Sequence, residues 1–364
     1  MPDHALSAQR LNSIEVPSFY CPGTELEPAT HPDVQGLEQA GNKWLDASGL
    51  CNEPGVRSQV ARMEVGRFVA LTVPRGLTER LTDVVRLNIW FHLLDDTHGD
   101  GAPADRNGGN ARIFTDLLRY MRSEAPMAPA GGAFGIVLRE LCSSVDAMAS
   151  DLQFSIWREA MGDYLEYEFW EADWRRRYEL PQLDAYIKYC VEGRAAAASM
   201  AMLPIAAGYE IPPEDIRRAE VRALTDMACV LACFDNDIYS YAKEKRSGGF
   251  VVSLVPIISQ LLGCGVVEAL KESMALRDQI ICRFLSLRRE VSRHVDHSTR
   301  WYLRDLGSWL RGQLEWGLSS PRFADPRYAV RMPTDWATHP TTGRLDPRRL
   351  PTASWWWDVS GESL

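Results

Sequence analysis

From about Asp33 onward, apolar residues recur at helical spacing through segment after segment, and no run alternates as a strand does. Clear examples are VQGLEQAGNKWLDASGL, LTERLTDVVRLNIWFHLLDD, FSIWREAMGDYLEYEFWEADWRRR and IRRAEVRALTDMACVLACFDNDIYSYAKEK, with two more over about 266–293 and 298–318. Such a chain can only bury its apolar stripes helix against helix, which predicts an all-α fold. With 364 residues, 46% of them hydrophobic, there is enough material for one large helical core. Residues 1–35 are expected to be a mostly irregular N-terminal segment, 36–323 the helical domain and 324–364 a Pro-, Arg- and Trp-rich tail. The tail ends in LPTASWWWDVSG, whose tryptophans are expected to dock on the body or on another chain. The uncharged stretch 247–267 contains Pro256, Gln260 and four glycines, so it reads as a buried helix beside a cavity rather than a membrane span.

A net charge of −9 argues against nucleic acid as the main partner. It leaves room for one small anion held by metal ions. The eight cysteines are scattered without a Cys-x-x-Cys pair, and the N-terminus lacks a basic segment followed by an apolar one. Reduced thiols, a cytoplasmic location and no secretory leader are therefore expected.

Two stretches carry chemistry. In NDIYSYAKE, Asn236, Ser240, Lys243 and Glu244 share an arc of about 100° on a helix, opposite a side on which Ile238, Tyr239 and Tyr241 read in part as packing. A solvated face would more often mix several Glu and Lys. An amide, a hydroxyl and a carboxylate can together chelate a hard divalent cation, and an ammonium beside them can meet an anion. The second stretch is FHLLDDTHGD, with Asp95, Asp96 and Asp100 at the end of an apolar helix. Carboxylates there oppose the helix dipole, which favours cations at that end. A solvated cap or a magnesium site explains them equally well.

In the order DDTHGD, NDIYSYAKE and WGLSSPRF, over roughly residues 15–323, the chain resembles bacterial class I terpene synthases. The resemblance implies a single-domain α-bundle around a central active-site cavity. It also implies magnesium, three ions per site, and a linear prenyl diphosphate that is ionised and cyclised to a terpene hydrocarbon or alcohol. Farnesyl diphosphate comes first and geranylgeranyl diphosphate close behind. Carried over, Asp95 ligates metal, Asp96 and Asp100 bind through water or shape the site, and Asn236, Ser240 and Glu244 hold a third ion. Lys243 and Arg322 contact the diphosphate. Phe91, four residues before Asp95, and Trp316, six before Arg322, are expected in the cavity wall, whereas Trp90, Trp157 and Trp170 read equally as core. His92 and His98 read as hydrogen-bonding caps.

Two positions depart from the family's pattern. Phe323 stands where a Tyr follows the arginine, and Tyr328 of DPRY lacks the preceding Trp. The diphosphate-sensing arginine normally follows a Tyr by four, but four after Tyr186 comes Cys190. Arg194, one turn later on the same face, is the candidate in its place. Enzymes of this kind are commonly homodimers, so a dimer is among the expected states. A chain-elongating prenyltransferase would carry a second aspartate-rich motif instead of Asn236 and Ser240. A binding protein that kept the fold but lost turnover is the remaining alternative.

Overall fold

The helical periodicity becomes helix throughout the computed structural model, which describes residues 14–51, 54–98, 109–123, 130–247, 249–323 and 330–359. In chain order these are α1 (Val34–Ala47), α2 (Pro54–Ala61), α3 (Val65–Thr72), α4 (Thr78–His98), α5 (Gly109–Arg122), α6 (Gly132–Met148), α7 (Asp151–Arg177) and α8 (Leu183–Glu192). There follow α9 (Ala195–Ala207), α10 (Pro213–Ile216), α11 (Ala219–Ser247), α12 (Leu254–Leu262), α13 (Val266–Val291), α14 (His297–Ser319) and α15 (Pro351–Ser354). The fold is all-α, as the periodicity requires. Among the described residues it also carries a pair of two-residue strands, β1 (Ile14–Glu15) and β2 (Val330–Arg331), joined in parallel. They tie the N-terminal segment to the C-terminal tail.

Local chemistry starts and stops these helices. Asp33 caps α1 by accepting from the Gly36 amide at 3.1 Å. Ser150 and Gln153 form a capping box at the start of α7, and Arg175, Arg176 and Arg177 occupy its last turn, where cations suit the dipole. Asp296 caps α14 through the Ser298 amide at 2.8 Å. The uncharged stretch 247–267 bends at Gly263, whose φ of +60° suits glycine, so that α12 and α13 leave each other at 109°. No single helix among the described residues is long and apolar enough to cross a membrane.

α11 packs on α13, α14, α8 and α9, α7 on α9 and α5, and α14 on α3. The α14–α3 approach is close: a Cβ at Gly312 would stand 2.3 Å from the Leu71 carbonyl oxygen. α11 is pinned to α13 by Arg277 and Asp235, 2.7 Å apart and both fully buried. Removing one partner of such a pair costs about 3–5 kcal/mol. Trp90 and Trp157 are core, but Trp170 is 47% exposed on the outer side of α7.

The Trp-rich tail docks on the body of its own chain. Thr352 donates to Asp184 through its amide and hydroxyl, at 2.9 and 3.0 Å. Arg283 donates to the Trp356 carbonyl at 2.8 Å, and Trp356 is fully buried. The tail is less irregular than its composition suggests: α15 runs into a 3-10 turn over Trp355–Trp357.

Candidate active site

α11 brings Asn236, Ser240, Lys243 and Glu244 to one cavity as its spacing requires. The Ser240 hydroxyl donates to Glu244 Oε1 at 2.5 Å. The Asn236 amide nitrogen donates to the Tyr239 hydroxyl at 3.2 Å, which turns its carbonyl oxygen to other use. Tyr239, read from the sequence as packing on the far side, lines the same cavity and corrects that expectation. α4 contributes Asp95 and Phe91 from the facing wall.

These hard oxygen donors fit a divalent cation. Among the described residues no group of three or more His, Cys, Asp or Glu is placed to hold a metal, and α11 turns an amide, a hydroxyl and the Glu244 carboxylate to the cavity. Asp96 faces elsewhere: Arg322 donates to both of its carboxylate oxygens at 2.9 and 2.8 Å. Burial works to raise the Asp96 pKa, but Arg322 and its hydrogen bonds, with Lys243, outweigh that and hold it at about 2. Asp100 and Tyr328 lie outside the described residues.

The cations converge from three elements. Lys243 projects from α11 and makes no hydrogen bond or ion pair among the described residues; its ammonium lies 5.9 Å from the Phe323 ring centroid. Burial, joined by Arg322, lowers its pKa. Arg194 is not on the helix of Tyr186: α8 ends at Glu192, and Arg194 is the N-cap of α9 in extended backbone. That corrects the expectation of a shared helix face, yet the side chain still returns to Tyr186, donating to its hydroxyl at 3.0 Å and to Asp237 at 3.2 Å. The break is tight, since a Cβ at Gly193 would stand 2.4 Å from the Tyr167 side chain. Arg194 Nε has no hydrogen-bond partner among the described residues. Cys190 is fully buried on α8.

Below this polar rim the wall is aromatic. Phe91 meets Tyr164 edge-on at 5.1 Å, and Phe68 meets Trp316 at 4.9 Å. Trp316 is fixed by an indole hydrogen bond to the Met63 carbonyl at 2.7 Å, and Phe323 packs on both Trp316 and Tyr239. His92 is not a hydrogen-bonding cap. It stacks on Trp316 at 5.9 Å, its Nε2 lacks a partner among the described residues, and burial, then Arg322, pushes its pKa down to about 3. His98 meets Phe134 edge-on at 5.2 Å.

Three acids escaped the sequence reading. Asp237 accepts from Tyr186, Arg194 and the Leu254 amide, so the residue next to Asn236 positions the sensor candidate from behind. Glu168 and Glu171 line the cavity from α7, with Tyr164 before them and Arg175 after. The spacing 164, 168, 171, 175 marks one helix stripe and was visible, but several other Glu residues in that segment hid it.

A family model described as terpene synthase family 2, C-terminal metal binding, matches residues 86–282. Spiroviolene synthase of Streptomyces violens is 30% identical over 96% of this chain and 98% of its own length. A germacradien-6-ol synthase of Streptomyces pratensis is 26% identical over 95% and 97%. The crystal structure of the ancestrally reconstructed SVS_A2 protein superposes with a TM-score of 0.82 at 27% identity, covering 94% of this chain and 99% of that one. Fold, motif order and likeness agree: the chain belongs to the bacterial terpene synthase family, a lyase that carries out class I cyclisation of a prenyl diphosphate at a divalent-metal site.

Proposed function

We propose that residues 36–323 form the catalytic domain and that magnesium, three ions per site, is held by Asp95 on α4 and by Asn236, Ser240 and Glu244 on α11. The observation that carries this reading is the meeting of those oxygen donors with the cations Lys243 and Arg194 on one rim above an aromatic wall. Magnesium would supply positive charge to the departing diphosphate. Lys243 and Arg194 bind and orient that group, and Arg322, held by Asp96, lines the same cavity beside them. The allylic C–O bond breaks with its electron pair passing to the diphosphate oxygen. The cation left behind is kept from water and shaped by Phe91, Tyr164 and Trp316, whose ring faces attract positive charge. Farnesyl and geranylgeranyl diphosphates are the substrates of choice. Free thiols at all eight cysteines suit a cytoplasmic setting, and a homodimer is one assembly open to such a chain.

Incubating the purified protein with geranyl, farnesyl and geranylgeranyl diphosphates plus magnesium, followed by gas chromatography of the extract, tests the proposal. A terpene hydrocarbon or alcohol is expected from the farnesyl or geranylgeranyl substrate. No such product from any of the three would reject it, and a longer prenyl diphosphate formed with isopentenyl diphosphate would point to chain elongation.

A further inference from the structure

The inner stripe of α7 runs from Arg175, which lines an adjoining pocket with Arg194 and Lys243, to Tyr164 against Phe91. Glu168 lies between them, about 10 Å along the helix axis from Arg175 and one turn inward of Glu171. The two glutamates differ. Glu171 accepts from the Tyr189 hydroxyl and pairs with Arg175. Glu168 is only 9% exposed, lines the cavity, and has no hydrogen bond or ion pair among the described residues. An ionised carboxylate in that position would lose most of its hydration with no hydrogen bond among the described residues to replace it. Burial, then the charges of Glu171 and Asp95, push its pKa well above the usual carboxylate range, against the opposing pull of Arg194. Glu168 thus presents an unpaired carboxyl group to the cavity, between the polar groups Glu171 and Arg175 and the aromatic pair Tyr164 and Phe91.

We propose that Glu168 is a catalytic acid–base residue that moves a proton onto and then off carbon during cyclisation. The inference rests on the class I reading of this cavity. The first cyclised cation loses a proton from a carbon next to the cationic centre to the diphosphate that ionisation has released, and the C–H electron pair becomes a double bond. Glu168 then gives its proton to an alkene carbon: a C–H bond forms from the π pair, a new cation arises, and the carboxylate is left. After further ring closure that carboxylate takes a proton from the carbon beside the final cation, whose C–H pair closes the product alkene. Glu168 is restored, and the sum is one hydrocarbon and one protonated diphosphate. A group merely filling the wall would leave no isotope in the product, so the step can be read directly.

The test is turnover in D2O with farnesyl and geranylgeranyl diphosphates plus magnesium, with mass spectra of the product after washing in ordinary water. Wild-type product should carry one carbon-bound deuterium. Glu168→Gln should release diphosphate but accumulate a less cyclised, unlabelled hydrocarbon, and Glu168→Asp should restore part of the label. Unlabelled wild-type product, formed with normal diphosphate release, overturns the inference, as does Glu168→Gln product labelled like wild type. Should Glu168→Gln lose its helical circular dichroism, Glu168→Asp decides: a changed product ratio with less label supports the role, and unchanged label and ratio overturn it. Failure of the wild type to release diphosphate would instead reject the class I reading beneath it.

Discussion

Arg322 closes on both carboxylate oxygens of Asp96, at 2.9 and 2.8 Å, and so locks the segment after α14 onto the end of α4. The guanidinium side chain is 6% exposed and the carboxylate 21%, which makes this a largely desolvated, bidentate pair. Two of the motifs that define the site thus hold one another.

Removing one partner exposes the other. Asp96→Asn should lower stability by about 1–3 kcal/mol at neutral pH, as expected when a charge-assisted hydrogen-bond acceptor is lost. The sign with pH follows from the depressed Asp96 pKa. Its contribution is complete above the ordinary carboxylate value and is lost as pH falls through about 2. Thermal melts should show a larger gap between wild type and variant at pH 5 than at pH 2.5. An equal gap at both would rule out the pair as its source.

Arg194 tests the departure at Cys190. Arg194→Lys keeps a cation beside Asp237 but loses the planar fork that reaches Tyr186 as well. Diphosphate release should fall by about 10²–10³, the usual loss when one stabilising donor is removed. The helical circular dichroism should be unchanged. Turnover near the wild-type rate would place the sensing role elsewhere.

The tail's tryptophans give a stability prediction separate from chemistry. Trp356→Ala should cost about 3–5 kcal/mol, the range for a large aromatic removed from a core. Differential scanning calorimetry reads the loss. Loss of turnover without any loss of stability would contradict the tail's role as a clasp.

Asp226 on α11, under the same tail, is a partly buried acid whose pKa desolvation pushes up to about 6 in spite of Arg222. The folded state then binds more protons than the unfolded one between the ordinary carboxylate value and pH 6. Stability therefore declines as pH rises across that window, by on the order of 2–3 kcal/mol. Asp226→Asn should flatten the decline in urea melts at pH 4, 5 and 7. A slope unchanged by the substitution would assign the effect to another group.

How much of this was legible differs from residue to residue. The α11 stripe was readable because one uninterrupted helix obeys its period, so Asn236, Ser240, Lys243 and Glu244 had to converge. Arg194 was placed on the wrong element because the apolar period continues across Gly193, although that glycine is itself a helix-end signal and caps α8. Glu168 was missed because Glu159 and Glu166 on the same segment masked the stripe it shares with Tyr164, Glu171 and Arg175. The Asp96–Arg322 pair joins positions 226 residues apart and had no local signal at all.

The central claim is that oxygen donors on α11 act together at a metal site that ionises a prenyl diphosphate. The most direct measurement is release of inorganic diphosphate from farnesyl and geranylgeranyl diphosphates across a magnesium titration, for wild type, Ser240→Ala and Glu244→Gln. Wild type should release diphosphate only with the metal. Both variants should need about ten-fold or more additional magnesium, the order of loss seen when a metal site's supporting groups are changed, while remaining folded by circular dichroism. Release by wild type in the presence of a chelator, or variants with the wild-type magnesium requirement, would contradict the account.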